Sequence, residues 1–213
     1  MSGLFTWSAL FQAGGPTLIV LLICFLVAAI VIVERWLYFR GRFFDPSVLS
    51  TVLDLIRGGD SSNAGRVLLD QKSPAGYVLF ECLQTSDLKD EQLFEEVKAR
   101  AIAEKIPEME RYLNLLATLG SVSPFIGLLG TVLGIIRAFM SLGQTDAAAG
   151  AAGGLSGLNA GIAESLVATA AGLLVAIPAT AAFNYFRKRV NDMITSIEIA
   201  ASRFKVSVRK GRH

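Results

Sequence analysis

Seventeen consecutive residues, Thr17 to Val33, carry no charge at all: TLIVLLICFLVAAIVIV, set between Gly14-Gly15-Pro16 and Glu34-Arg35. A bilayer core about 30 Å thick is crossed by a helix of ~20 apolar residues, so a run of this kind predicts a membrane span. Two more stretches qualify. Leu113 to Leu142 is free of charge up to Arg137, and Ser165 to Phe186 is free of charge throughout. The sequence therefore predicts spans at 17–34, 113–142 and 164–186. Charged residues make up 18% of the chain, against about 25% in a soluble domain. That deficit excludes a disordered chain or a nucleic-acid coat and points to lipid. Residues 1–16 contain no Lys or Arg, the flank after the first run is basic, and no A-x-A site precedes it. A retained helix is expected rather than a cleaved signal peptide.

The spans differ in character. The first is greasy all round, as a peripheral, lipid-facing helix is. The second and third are rich in Gly, Ala, Ser and Thr, which lets helix backbones approach closely inside an assembly. Lys and Arg are unevenly placed: none in 1–34, eleven in 35–112, none in 143–163 and eight in 187–213. The positive-inside rule then predicts an N-terminal segment 1–16 outside, a cytoplasmic region 35–112, a loop 143–163 outside and a C-terminal helix 187–213 inside.

The parts outside the bilayer read as helical, with no internal repeat. Pro46 suits a first helical position, Val48, Val52, Leu55 and Ile56 recur at helical spacing, and Gly58-Gly59 ends that helix. A short helix is expected over Asn63 to Asp70, and Ser73-Pro74 reads as a cap and first turn. From about Asp90 a long helix is expected to run into the second span, kinked or broken at Pro107. After Arg187-Lys188-Arg189, the positions Val190, Ile194, Ile197, Ala201, Phe204 and Val208 form an amphipathic stripe. It packs either on this chain's own cytoplasmic helices or along a subunit seam. The outer loop from Asp146 to Gly161 is low in complexity and reads as a flexible turn. Cys24 lies in an apolar run and Cys82 in a charged segment, so no disulfide is expected between them. The single histidine is His213, which removes histidine-based catalysis and most histidine-ligated metal sites.

Polar groups in lipid are costly and need a reason. Glu164 stands between two charge-free runs at the outer edge of the third span. It is either an acidic residue suited to a helix N-terminus or a group facing a wet path. Thr131 and Thr169 either bond their own backbone or line such a path. Pro124, Gly127, Gly134 and Ala138 fall at −7, −4, +3 and +7 from Thr131, and Gly172, Ala176 and Thr180 at +3, +7 and +11 from Thr169. Two narrow small-residue faces, each with a hydroxyl, fit a closely packed pore and equally a simple helix pair. Pro124 and Pro178 permit bends in the second and third spans. Arg137 is expected to snorkel outward, with Asp146 or Glu164 as its counter-charge.

SPFIGLLGTVLGIIRAF (Ser123 to Phe139) and GIAESLVATAAGLLVAIPATAAFNYF (Gly161 to Phe186) resemble the paired signature of the ExbB/TolQ/MotA proton-channel family. QAGGPTLIVLL and IVERWLYFR are similar to the start of ExbB and TolQ. The resemblance implies an all-α integral membrane protein of the bacterial inner membrane. Three transmembrane helices with long cytoplasmic helical extensions would form an oligomeric ring, a pentamer around two copies of a single-span ExbD- or TolR-like partner. It implies protons as coupling ion, no other cofactor, a TonB- or TolA-like protein as a further partner, and no nucleic acid. It implies that an aspartate of the partner carries protons, and that Thr131, Thr169 and Glu164 take the pathway positions. Pro124, Gly127, Gly134, Gly172, Ala176 and Pro178 take the packing of the pore face. Three spans favour the ExbB/TolQ branch over the larger MotA stators. Arg137 departs from the pattern, which has an uncharged residue there.

An enzyme is the rival class. Gly127, Gly130 and Gly134 are not followed by Gly-Lys-Ser/Thr, so no P-loop is present, and no span holds paired aspartates or a histidine beside a nucleophile. No metal site is expected. A passive membrane scaffold is the remaining alternative. Within the family, energising outer-membrane transport (ExbB-like) is preferred to envelope maintenance (TolQ-like) or a gliding or secretion motor.

Overall fold

The structure, a computed structural model, describes residues 7–42, 46–85, 91–143 and 150–210, and every element in them is helical. In chain order these are α1 (Trp7–Arg40), α2 (Pro46–Arg57), α3 (Ser61–Asp70), α4 (Pro74–Gln84), α5 (Glu91–Met109), α6 (Leu113–Gly143) and α7 (Gly150–Lys210). Three helices are long and apolar enough to cross a membrane: α1 over Pro16–Arg40, α6 over Leu113–Met140, and α7 within Gly161–Ser207. Asp146 and His213 lie outside the described residues.

The chain divides into two compact units. One contains residues 1–33 and 112–184, the other 34–111 and 185–213. In the first, large apolar side chains point outward on all three helices. Ile30 is 68% exposed on α1, Phe125 68% on α6 and Ile177 67% on α7. Leaving such faces bare is what lipid or a neighbouring helix tolerates and water does not.

The second unit buries its apolar residues. Val52 of α2, Leu68 of α3, Val78 and Leu79 of α4, Phe94 of α5 and Ile197, Ala201 and Phe204 of α7 form one core. The α7 stripe therefore packs within its own unit. Cys82 belongs to this core and is fully buried. Glu81 precedes it and charged residues follow from Asp87, but the helix turns Cys82 inward with Val78 and Leu79. Burial raises its thiol to a pKa of about 11.

Local chemistry sets the helix ends. Gly59 adopts φ 82 after α2, and Asp60 N–H bonds Leu55 C=O at 2.9 Å, a Schellman stop. Asp60 then caps α3 by accepting from Asn63 N–H, and Ser73 caps α4 by accepting from Gly76 N–H. Lys72, between them, holds φ 45, a left-handed conformation that costs a side-chain-bearing residue about 1–2 kcal/mol.

Three expectations are corrected here. The long helix does not run into the second span: α5 stops at Met109, and Tyr112 takes φ 63 before α6 begins. Pro107 remains inside α5 and is not the break. The cause lies in Arg35, which is buried and donates to the Glu108 and Met109 carbonyls at 3.1 and 3.4 Å. These are the carbonyls a helix leaves free at its C-terminus, and a guanidinium satisfies them. Third, residues 150–161 are not a flexible turn but the start of α7. Local propensity does not account for this start, since 150–161 hold three alanines against five glycines.

Candidate functional site: the helix pair of the second and third spans

α6 and α7 pack antiparallel along a seam of small residues. Where the register is tightest, a side chain has no room. A methyl on Gly161 would lie 2.5 Å from the Ala138 Cβ, one on Gly134 3.0 Å from the Ser165 Cβ, and one on Gly130 2.6 Å from the Ala168 Cβ. Gly127 faces the Ala168 carbonyl and Thr169, Gly172 faces the Ser123 carbonyl, and Gly120 faces Thr180. Each step up α6 is matched by an equal step down α7, so one register holds over the whole seam. Close backbone approach of this kind brings dispersion contacts and weak polar contacts where no hydrophobic drive exists.

Two hydroxyls flank that seam. Thr169 donates to the Gly127 carbonyl across the helix pair at 3.2 Å, and Thr131 donates to the Leu128 carbonyl of its own helix at 2.6 Å. Their acceptors are consecutive carbonyls of α6, about 1.5 Å apart along the axis. The hydroxyls are therefore held at one level of the span. Both side chains are half-buried, at the rim of the seam rather than inside it.

The small faces read from spacing divide accordingly. Gly127, Gly134, Ala138, Gly172 and Ala176 are buried. Pro124 is half-buried, while Pro178 and Thr180 are exposed. Pro178 stands nine residues from Thr169, about two and a half turns, and so on the far side of α7. Six seam residues escaped the sequence reading: Gly120, Ser123, Gly130, Gly161, Ser165 and Ala168. Ser165 bonds the Ile162 carbonyl at 2.7 Å, while the Ser123 hydroxyl is buried with no hydrogen-bond partner among the described residues. A signal was present, since 120, 127 and 134 repeat every seven residues with 123 and 130 between them. Reading outward from the threonines hid it.

Toward one end of the seam Arg137 and Glu164 form an ion pair at 3.3 Å, with the arginine side chain 51% exposed and the glutamate 24%. The charge that departs from the expected pattern is thus compensated by the acidic residue of the second signature. Among the described residues no cluster of three or more His, Cys, Asp or Glu could hold a metal ion. What the arrangement offers is narrower: two fixed hydroxyls and one paired carboxylate on otherwise apolar helices.

Residues 70–199 match the MotA/TolQ/ExbB proton channel family. The chain is 31% identical to the biopolymer transport protein ExbB-like 3 of Synechocystis sp., over 91% of this chain and 94% of that protein. It is 33% identical to the Tol-Pal system protein TolQ of Pseudomonas aeruginosa, over 82% of this chain and 74% of that one. It is 29% identical to the biopolymer transport protein ExbB of Neisseria meningitidis serogroup A, over 90% and 91%.

Proposed function

This chain belongs to the MotA/TolQ/ExbB proton channel family, and we propose that it is an ExbB-like ring subunit of a motor driven by the proton-motive force. In this reading five copies surround two copies of a single-span ExbD- or TolR-like partner in the bacterial inner membrane. The N-terminus is periplasmic and the C-terminus cytoplasmic. Proton flow becomes mechanical work on the envelope, energising outer-membrane transport through a TonB-like protein.

One observation carries the proposal. Thr131 and Thr169 are anchored at one level of a helix pair whose sequence from Leu113 to Ile136 and from Ser165 to Phe186 holds no titratable side chain except Tyr185 at its edge. A proton path through apolar helices needs a titratable group within the membrane. Hydroxyls bond and orient such a group but do not replace it, so the acid has to come from another polypeptide. Glu164, outside that level, serves at one mouth of the path.

The preference for an ExbB-like role rests on length. The ExbB-like 3 and Neisseria ExbB relatives align over more than nine-tenths of their own length, the Pseudomonas TolQ over 74%. The slightly higher identity to TolQ, 33%, supports a second reading, envelope maintenance with a TolA-like partner. Proton flux into liposomes, measured with the chain alone and with a co-purified single-span partner, tests the motor. Flux that depends on the partner supports it. Equal flux in both preparations contradicts it, and no flux in either leaves the passive scaffold.

A further inference from the structure

In the unit formed by 34–111 and 185–213, a cavity of about 200 Å³ opens beside the start of α4. A water occupies ~30 Å³ of liquid volume, so the space admits a tetrahedral anion with part of its hydration shell. Its polar lining is Arg42, Lys72, Ser73, Tyr77, Lys105 and Glu108. Three cations thus face one carboxylate. Glu108 pairs with both Arg42 and Lys105, the latter at 3.6 Å, and Lys72 makes no ion pair among the described residues. Glu104 stands at the edge, accepting from the Tyr77 hydroxyl at 2.8 Å and pairing with Arg100 at 3.9 Å.

The cations are held in place. Arg42 lies over the Tyr38 ring at 4.3 Å and Lys105 over the Tyr77 ring at 4.1 Å. Lys72 sits at the left-handed position where glycine is at ease, and it lines the same cavity. The eleven-residue helix α4 begins at Pro74 on the cavity wall, and a helix N-terminus favours negative charge. Arg42 follows by two positions Arg40, the last residue of the span-bearing helix α1. Arg40 stacks on Trp36 at 4.9 Å, an aromatic–basic pairing typical of the headgroup layer.

We propose that this cavity binds a phosphate group, supplied by the headgroup of an anionic membrane phospholipid. Charge-assisted contacts from two lysines and an arginine, with the α4 N-terminus behind them, match the phosphate oxygens. The glycerol and acyl chains lead away past Leu69, which is half-exposed.

The test uses the full chain purified in detergent. Native mass spectrometry counts phosphatidylglycerol retained per protomer, and equilibrium dialysis against labelled inorganic phosphate follows on the delipidated protein. The wild type retains the lipid, and Lys72→Gln with Lys105→Gln lowers retention about tenfold or more. Lys72→Arg with Lys105→Arg restores it, while the charge-matched Lys188→Gln with Arg203→Gln leaves it unchanged. Helical content and elution volume check the fold of each variant. Binding of inorganic phosphate that the Gln pair abolishes, without lipid retention, keeps the phosphate site and transfers it to a soluble source. Retention that falls equally in both charge-removed variants, or binding of neither ligand, overturns the proposal.

Discussion

The Thr169 hydroxyl crosses from α7 to the Gly127 carbonyl of α6 at 3.2 Å, one residue before the carbonyl that holds Thr131. The two threonines therefore differ in what they do for the helix pair. Thr169→Val removes an interhelical hydrogen bond, worth about 0.6 kcal/mol and at most ~1.7 in membrane helices. Thr131→Val removes only a bond within its own helix. Thermal unfolding in detergent is expected to show a lower midpoint for Thr169→Val and an unchanged one for Thr131→Val. Partner-dependent proton flux is expected to fall in both. Stability losses of equal size would contradict the assignment.

Gly172 is expected to tolerate no side chain. An alanine there places its methyl 2.7 Å from the Ser123 carbonyl oxygen and 3.1 Å from the Gly127 Cα, and backbone atoms do not yield as a side-chain tip does. Overpacking of this kind costs about 1–3 kcal/mol. Gly41→Ala is the control, because nothing lies within 4 Å of its added methyl. Oligomer yield on size exclusion should drop for Gly172→Ala alone.

The Arg137–Glu164 pair separates charge balance from proton handling. Partly exposed ion pairs contribute roughly 0.2–1 kcal/mol. Glu164→Gln and Arg137→Gln should each lower stability within that range, and exchanging the two residues should recover it. Proton flux should stay low in the exchanged variant, because the carboxylate has moved to the other helix. Full recovery of flux would assign Glu164 a purely structural role.

Burial in the core of the 34–111 and 185–213 unit gives Cys82 its own pH signature. Its thiol titrates at about 11 in the folded chain, raised from 9.0. A raised pKa on an acid means that the neutral form is favoured by folding. The associated stability is complete below pH 9 and is lost as pH rises toward 11, a change on the order of 2–3 kcal/mol. Denaturant midpoints for wild type and Cys82→Ala should converge over that window. Parallel curves would contradict a buried thiol.

The spans were legible because charge is so costly in lipid that its absence marks them without any reference to packing. Helix ends governed by local chemistry, at Gly59 and Ser73, were legible for a similar reason, while the Asp60 cap was not read. What escaped depended on contacts distant in sequence. Arg35 read only as part of the basic flank after the first span, yet it is buried against the end of α5, more than seventy residues away. That contact stops α5 short of the second span. The seam was half legible: Gly127, Gly134 and Gly172 stood out beside the threonines, while Ser123, Ser165 and Gly130 emerge only when the antiparallel register of α6 and α7 is known. Pro178 looked like part of the same face, and the turn of the helix carries it to the opposite side.

The central claim is that the rims of these helix pairs, with their threonines, surround a guest helix bearing the acid. Single-particle imaging of the chain co-purified with its single-span partner tests this most directly. The account predicts a ring with helix density at its centre, and the Thr131 and Thr169 hydroxyls of each copy turned toward it. A closed centre that admits no helix, with both hydroxyls facing the detergent, would contradict it.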